Sequence, residues 1–336
     1  MNRRDFVITS MSAALAASLP LFPTLAFSKT TNTYSYLTPF TLSLAFSPIL
    51  YASAADIYKD LDLDVKVEVG RGAGQVIQLV SADQIDSGRT GGANYMSARS
   101  MEGSNMIAFA TVSQISPFVI ISSESKPVKS VKELEGKTIG MASFGGSMEA
   151  TLNLMLAKAG IDPKSVQRER VADGPASFAM VEAGRIHCFF GNVSTVSRLH
   201  AESLPLVVMD VDDGIPGQVY IARDADLEEN PDKHVAFLKG AWTAIHLLAE
   251  MNDEQLLEAI RLIGKKYDVP GIEKEDIALS DLKGNIKLWL AKGKDNVLKN
   301  VPEEWDAAKE LLVRSELMQE TNKALYTNAI WEKAIG

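Results

Sequence analysis

Two periodicities divide the chain. In the first half, short apolar runs alternate with polar, glycine-bearing turns. Residues 63–69 place Leu63, Val65, Val67 and Val69 at every second position with Asp64, Lys66 and Glu68 between them, the period of a half-buried strand. Further strands are predicted at 33–44, running into a loop at 45–48, and at 84–89, 106–111, 118–122, 138–142, 186–190, 206–209 and 219–222. Helices are predicted between them at 49–59, 75–81, 147–159 and 177–183. From Asp232 onward the pattern is helical, at 235–251, 253–266, 286–292, 303–317 and 321–333, with Pro302 suited to a first helical turn. Trp242, Trp289, Trp305 and Trp331 all fall in this last third and are expected to pack helices onto a sheet. Repeated strand–loop–helix units of this kind imply an α/β chain built on two open sheets.

Composition narrows the function classes. A chain with 46% hydrophobic residues has enough apolar material to fold, which excludes disorder. No apolar run of about 18 residues follows the N-terminus, which excludes a polytopic membrane protein. At 336 residues the chain exceeds what one core usually supports. Its net charge of −9 gives no general attraction for phosphate backbones, so nucleic acid is not an expected partner. Residues 1–28 read as an export signal: Arg3 and Arg4 lead an apolar stretch at 7–22, and Ala26 and Ser28 are small residues at a cleavage site. Arg3 and Arg4 followed by Asp5 and Phe6 resemble the twin-arginine pattern. Cys188 is the single cysteine, so it forms no intramolecular disulfide, and it lies too far from the cleavage site to carry a lipid anchor. It reads as a small buried hydrophobe. A free periplasmic protein is the expectation.

Chemical motifs are informative mainly by exclusion. His187, His200, His234 and His246 have no metal-ligand spacing, and no metal or other cofactor is expected. Gly145-Gly146-Ser147 lacks the frame of a nucleophile elbow. The run Gly70-Arg71-Gly72-Ala73-Gly74 lacks the third glycine of a dinucleotide fingerprint, since Gln75 stands there. No catalytic residue is assigned. More telling are three small polar loops at the ends of predicted strands: Ala45-Phe46-Ser47-Pro48, Thr90-Gly91-Gly92-Ala93 and Ser143-Phe144-Gly145-Gly146-Ser147. Ligands of open α/β sheets bind beyond the carboxyl ends of strands, often on free N–H groups at helix starts. Simple capping by Ser147 is the alternative at the third loop. Arg89 ends a strand that packed helices should flank, so its charge needs either a buried carboxylate such as Asp86 or an anionic ligand group. Arg71 offers a second guanidinium, a group suited to planar oxyanions. The candidate binding residues are Phe46, Ser47, Arg71, Arg89, Thr90, Gly91, Gln114, Ser143, Gly146, Ser147 and Asn192.

Several segments together resemble the class II periplasmic solute-binding proteins of ABC importers, in the nitrate, sulfonate, taurine and thiamine-pyrimidine branch. They are Phe46-Ser47-Pro48-Ile49-Leu50-Tyr51-Ala52 with Leu61-Asp62-Leu63-Asp64-Val65, then Gly74-Gln75, Gln84-Ile85-Asp86-Ser87-Gly88, and the run from Lys129 to Gly140, which is the most specific. Asp173-Gly174 and the run from Val181 to Ile186 complete the set. The chain departs from the family at Arg89, usually apolar, at His187, usually aspartate, and at Thr90-Gly91-Gly92. The resemblance implies two α/β lobes, residues 29–117 with 222–336 and residues 118–221, joined by hinge strands at 118–122 and 219–222, with a ligand between them. It implies a monomer that captures a small solute and delivers it to a membrane permease, or alternatively a sensor that presents its lobes to a membrane receptor. An organic anion such as a sulfonate or carboxylate is the expected ligand. A neutral heterocycle such as a pyrimidine or flavin precursor is the alternative, with Phe46, Tyr95, Phe144 and Phe178 available to flank a ring. A pyrimidine-synthase relative shares the fold, but it needs a cysteine-rich run that Cys188 alone does not provide.

Overall fold

The computed structural model describes residues 32–336 apart from 143, 145, 146, 173, 212 and 213; the export signal, Ser143 and Gly146 lie outside the described residues, as does the side chain of Ser147. The elements run β1 Asn32–Thr38, α1 Ser47–Ala54, α2 Ile57–Asp60, β2 Leu63–Val69, α3 Ala73–Ser81, β3 Ser87–Gly91, α4 Gly92–Ser100, β4 Met106–Ser113 and β5 Phe118–Ser123. They continue with β6 Thr138–Met141, α5 Ser147–Lys158, β7 Gln167–Arg170, α6 Pro175–Glu182, β8 Cys188–Asn192, α7 Val193–Ala201, β9 Leu206–Asp210 and β10 Gln218–Arg223. Helices complete the chain: α8 Asp224–Glu229, α9 Pro231–Glu250, α10 Asp253–Lys266, α11 Glu275–Trp289, α12 Pro302–Arg314 and α13 Ala329–Ala334.

Two mixed five-stranded sheets result, in the orders β2-β1-β3-β10-β4 and β7-β6-β8-β5-β9. Both use the same plan, three parallel strands beside an antiparallel strand that is inserted from elsewhere in the chain. The central strands β1, β10, β5 and β8 carry apolar residues on both faces, because helices cover both. Tyr34 and Tyr36 of β1 enter one core with Phe109, Tyr220 and Phe237, while the neighbouring Leu37 enters the opposite core with Val76 and Ile221. Trp289 and Trp305 are buried in these two cores, and Trp242 and Trp331 pack partly buried against the first. The second sheet has its own pair of cores, around Ile139 and Phe190 on one face and Phe178 and Phe189 on the other.

The strands expected as hinges, at 118–122 and 219–222, are central members of the two sheets. β5 is paired on both sides within the second sheet, with β8 and β9, and β10 is paired on both sides within the first, with β3 and β4. The passages between the sheets run over residues 114–117, from β4 to β5, and again between β9 and β10. Gly217, just before β10, packs between the start of α4 and the end of β4. The Gly92 N–H donates to the Gly217 carbonyl at 3.2 Å, and the Gly217 N–H donates to the Ser113 carbonyl at 3.0 Å.

A buried polar chain links β1 and the start of β3 to helices α8 and α9. Tyr34 Oη meets His234 Nδ1 at 2.8 Å, and His234 Nε2 meets Asp226 Oδ2 at 2.7 Å. Lys233 Nζ bridges Asp226 at 2.9 Å and Asp86 at 2.6 Å. Burial alone would raise both carboxyl pKa values. Hydrogen bonds from Lys233 and Ser35 outweigh it at Asp86, and those from His234, Lys233 and Asn230 outweigh it at Asp226, so both lie below the usual carboxylate range. Burial lowers the pKa of His234. All three shifts act in one direction. Each carboxylate contributes stability that is present above its ordinary pKa and lost as pH falls through the folded value, and the unfolded chain takes up a proton near pH 6.5 that folded His234 resists. The melting temperature is therefore expected to fall from pH 7 to pH 4 through His234 and to fall further below about pH 4 as the two carboxylates take up protons, and Asp226→Asn is expected to lessen only the fall below pH 4. Equal slopes in scanning calorimetry would remove this network as the cause.

Candidate ligand-binding site

The carboxyl end of β3 meets the start of α7 across the two sheets. Arg89 sits in the middle of β3, not at its end, and opposite Tyr220 of β10. Its side chain is only 4% exposed. Nη1 donates to the Ala45 carbonyl at 2.6 Å, Nε to Gln218 Oε1 at 3.3 Å, and the guanidinium lies 5.0 Å from the centre of the Phe46 ring. Burial lowers its pKa, although an arginine remains charged at any ordinary pH. The carboxylate partner that a structural arginine would need is missing among the described residues: Asp86 is taken by Lys233 and Ser35. An ion pair with Asp86 is thus ruled out.

Arg89, Phe46, Phe40, Ser43, Ala45 and Gln218 wall one side of a small cavity of about 60 Å³; Phe118, Asn192, Val193 and Ser194 wall the other, with Asn285 and Leu288 of α11 closing it. No described carboxylate lines it. The wall from the second sheet is a helix N-terminus. Asn192 caps α7 by accepting from the Thr195 N–H at 3.1 Å, and the Thr195 hydroxyl accepts from the Asn192 N–H at 3.1 Å. A capping box satisfies the donor of the third helical residue and leaves those of Val193 and Ser194 without a partner in the helix. A guanidinium and the positive end of a helix dipole therefore face one enclosed space. Beyond it lies a chamber of about 460 Å³ that shares Phe40, Ser43, Asn192 and Ser194 as walls and is otherwise largely apolar, with Leu42, Leu44, Val269 and Ile272.

Three of the candidates read from sequence meet at this cavity: Phe46, Arg89 and Asn192. Ser47 follows Phe46 and Thr90 follows Arg89; both are fully buried, their hydroxyls without a hydrogen-bond partner, but they lie outside its lining. Gly91 caps α4. Two candidates are placed elsewhere. Arg71 is exposed in the turn before α3, where its N–H donates to Gln75 Oε1 at 2.6 Å, because the glycines around it leave nothing to pack on. Gln114 is buried, and its amide donates to the carbonyls of Thr111, Asn296 and Lys299 at 2.8–3.1 Å, which ties the first passage to the C-terminal segment. Of the rings proposed to flank a ligand, Tyr95 and Phe178 are core residues and Phe144 lies over Arg170. Sequence reasoning missed Phe40, Gln218, Val193, Ser194, Asn285 and Leu288. The whole of α7 escaped notice because Val193, Thr195 and Val196 are β-branched and two serines, Ser194 and Ser197, lie among them, a composition with low helix propensity. The Asn192–Thr195 spacing was the available signal.

Solved structures of the same fold serve more than one purpose. The chain is similar to the alkanesulfonate-binding protein SsuA from Xanthomonas axonopodis pv. citri bound to MOPS, at 14% identity over 86% of this chain and 94% of that one, with a TM-score of 0.60. It is similar to the periplasmic aliphatic sulphonate binding protein SsuA from Escherichia coli, at 18% identity over 75% and 83% of the two chains and a TM-score of 0.59. It also matches the desulfurization enzyme DSZB, at 10% identity over 90% and 99% of the chains and a TM-score of 0.55. No curated protein matches the chain. The family model described as NMT1/THI5 like matches residues 43–255, the greater part of the sequence. The chain is therefore a member of the NMT1/THI5-like family.

Proposed function

We propose that this protein is the periplasmic solute-binding component of an ABC importer, and that it captures a small organic anion, such as a sulfonate or carboxylate, between two lobes and hands it to a membrane permease. The observation that carries the reading is Arg89, a buried guanidinium with no carboxylate partner among the described residues, facing the N-terminus of α7 across a cavity. A buried charge is tolerated when something of opposite sign completes it, and the free donors of α7 favour the same sign of ligand. The small cavity accommodates an oxyanion head, and the larger chamber an apolar tail. The similarity to sulfonate-binding proteins supports this class of ligand. In this reading the lobes are the two sheets with their helices, and they close over the ligand by bending at the passages between them.

The similarity to sulfonate-binding proteins supports binding as the role of the site. Cys188 is fully buried in β8, and burial raises its thiol pKa to about 12, so it is neither a thiolate nor reachable. No described group of His, Cys, Asp and Glu is arranged to hold a metal ion. Residues 1–28 direct export to the periplasm, the twin-arginine pattern indicating the route.

The test is titration calorimetry with hexanesulfonate, hexanoate and a neutral pyrimidine. Saturable binding of the sulfonate or the carboxylate is expected. Binding of the pyrimidine alone would replace the anion reading with that of a heterocycle carrier.

A further inference from the structure

Helix α7 of the second sheet lies along α11 of the first, and its contacts there are polar and close. The Ser194 hydroxyl donates to Asp281 Oδ1 at 2.7 Å, and Ser197 Oγ lies 3.1 Å from Ser280 Oγ. A Cβ added at Gly284 would overlap the Val193 side chain, so the glycine allows the two helices this approach. Asp281 is 8% exposed, and its second hydrogen-bond donor is the Asn285 amide at 2.8 Å, from its own helix. Ser194 and Asn285 both line the cavity at Arg89, so the contact sits at the rim of the ligand site.

We propose that Asp281 is a proton-dependent latch, protonated as the lobes close and ionised as they open. This rests on the closing motion proposed above, not on the ligand's identity. In the closed arrangement Asp281 is buried between the helices. The charged groups facing it are Arg198 from α7, across the interface, and Lys274, which lines the same chamber just before α11. Burial dominates: it raises the Asp281 pKa to about 6, against the smaller opposing effects of Ser194, Arg198 and Asn285. When the lobes part, Ser194 and Arg198 leave with α7, water reaches the carboxyl, and the ordinary value near 3.9 returns. A group whose pKa is higher in the closed state binds a proton on closing, so closure strengthens as pH falls from about 7 towards 4. The linkage between these two values predicts a closed-to-open ratio roughly 10-fold higher at pH 5 than at pH 8.

The experiment uses the ligand-free full chain with spin labels at Lys59→Cys and Lys164→Cys, one on each sheet's periphery. Pulsed dipolar spectroscopy at pH 8 and pH 5 reads the populations of long and short distances. The short-distance population is expected to grow about 10-fold relative to the long one at pH 5, and Asp281→Asn, which carries no ionisable carboxyl, is expected to show no such change. A parent ratio indifferent to pH, or an Asp281→Asn variant that keeps the parent's response, would overturn the latch. Hexanesulfonate, which does not titrate in this range, serves as the second probe. Its affinity should rise about 10-fold from pH 8 to pH 5 in the parent and stay level in Asp281→Asn. If hexanesulfonate fails to bind while the label distances still respond to pH, the latch stands and the anion reading falls.

Discussion

Replacing Arg89 with methionine should weaken binding of hexanesulfonate by about 1.5–3 kcal/mol, roughly 10- to 150-fold in dissociation constant. Methionine keeps most of the stem volume beside Phe46 and removes the guanidinium. The range is that of a hydrogen bond to a charged group, and the loss includes the attraction of the charge for an anion across a cavity with little water. Stability should move far less. The parent carries the desolvation penalty of a buried charge without a carboxylate partner, and the variant is relieved of it. Against this, the Ala45 carbonyl and Gln218 lose a donor in the variant. Arg89→Lys should fall between parent and Arg89→Met, because an ammonium keeps the charge and loses the planar fork. Calorimetry beside a melting curve separates the two roles. Undiminished affinity in Arg89→Met together with a large fall in melting temperature would make the residue structural.

The largest loss of stability is expected at Gly217, just before β10, and at Gly92 of α4, which packs against it. A Cβ at Gly92 would overlap the Pro216 carbonyl oxygen, and one at Gly217 would overlap the Ile115 carbonyl oxygen. Both obstacles are backbone atoms, and backbone cannot swing aside as the end of a side chain can. Moving it would break the hydrogen bonds from Gly92 to Gly217 and from Gly217 to Ser113. Overpacking of this kind costs about 1–3 kcal/mol and more where backbone must shift. Gly92→Ala and Gly217→Ala should therefore each lower the melting temperature by several degrees and weaken sulfonate binding, since Gln218 and Arg89 stand beside the displaced segments. Gly74→Ala is the control. It lies in α3 with open space around it, and alanine there should be neutral or stabilising by up to about 1 kcal/mol. If the three variants melt alike, tight approach at the crossing is not what these glycines provide.

The class of fold was legible because period and punctuation agree in this chain. The strand Leu63–Val69 and the helix Asp253–Lys266 coincide with their predicted limits, since each has a clean period and a clear start. Arg89 was legible as an anomaly, a charge in a strand that had to be covered on both faces, but its partner was not. Only the folded chain reveals that Asp86 belongs to Lys233. The predicted helix at 321–333 reduces to Ala329–Ala334, because Tyr326 forms a bridge with Ala108 and the Asn300 N–H donates to the Asn328 side chain. Those pairings join residues far apart in sequence, and no local pattern records them. The half of the site contributed by α7 was hidden for the same reason. Its helix owes more to a cap and to packing on α11 than to propensity, and that packing crosses from one sheet to the other.

The central claim is that an anion is held between Arg89 and the first turn of α7. A crystal structure of the protein with hexanesulfonate tests it most directly. The account predicts sulfonate oxygens within about 2.7–3.2 Å of the Arg89 guanidinium and of the Val193 or Ser194 N–H, with the alkyl tail directed into the larger chamber. A sulfonate bound away from Arg89, with the guanidinium still bonded to Ala45, Gln218 and Ser113, would contradict it.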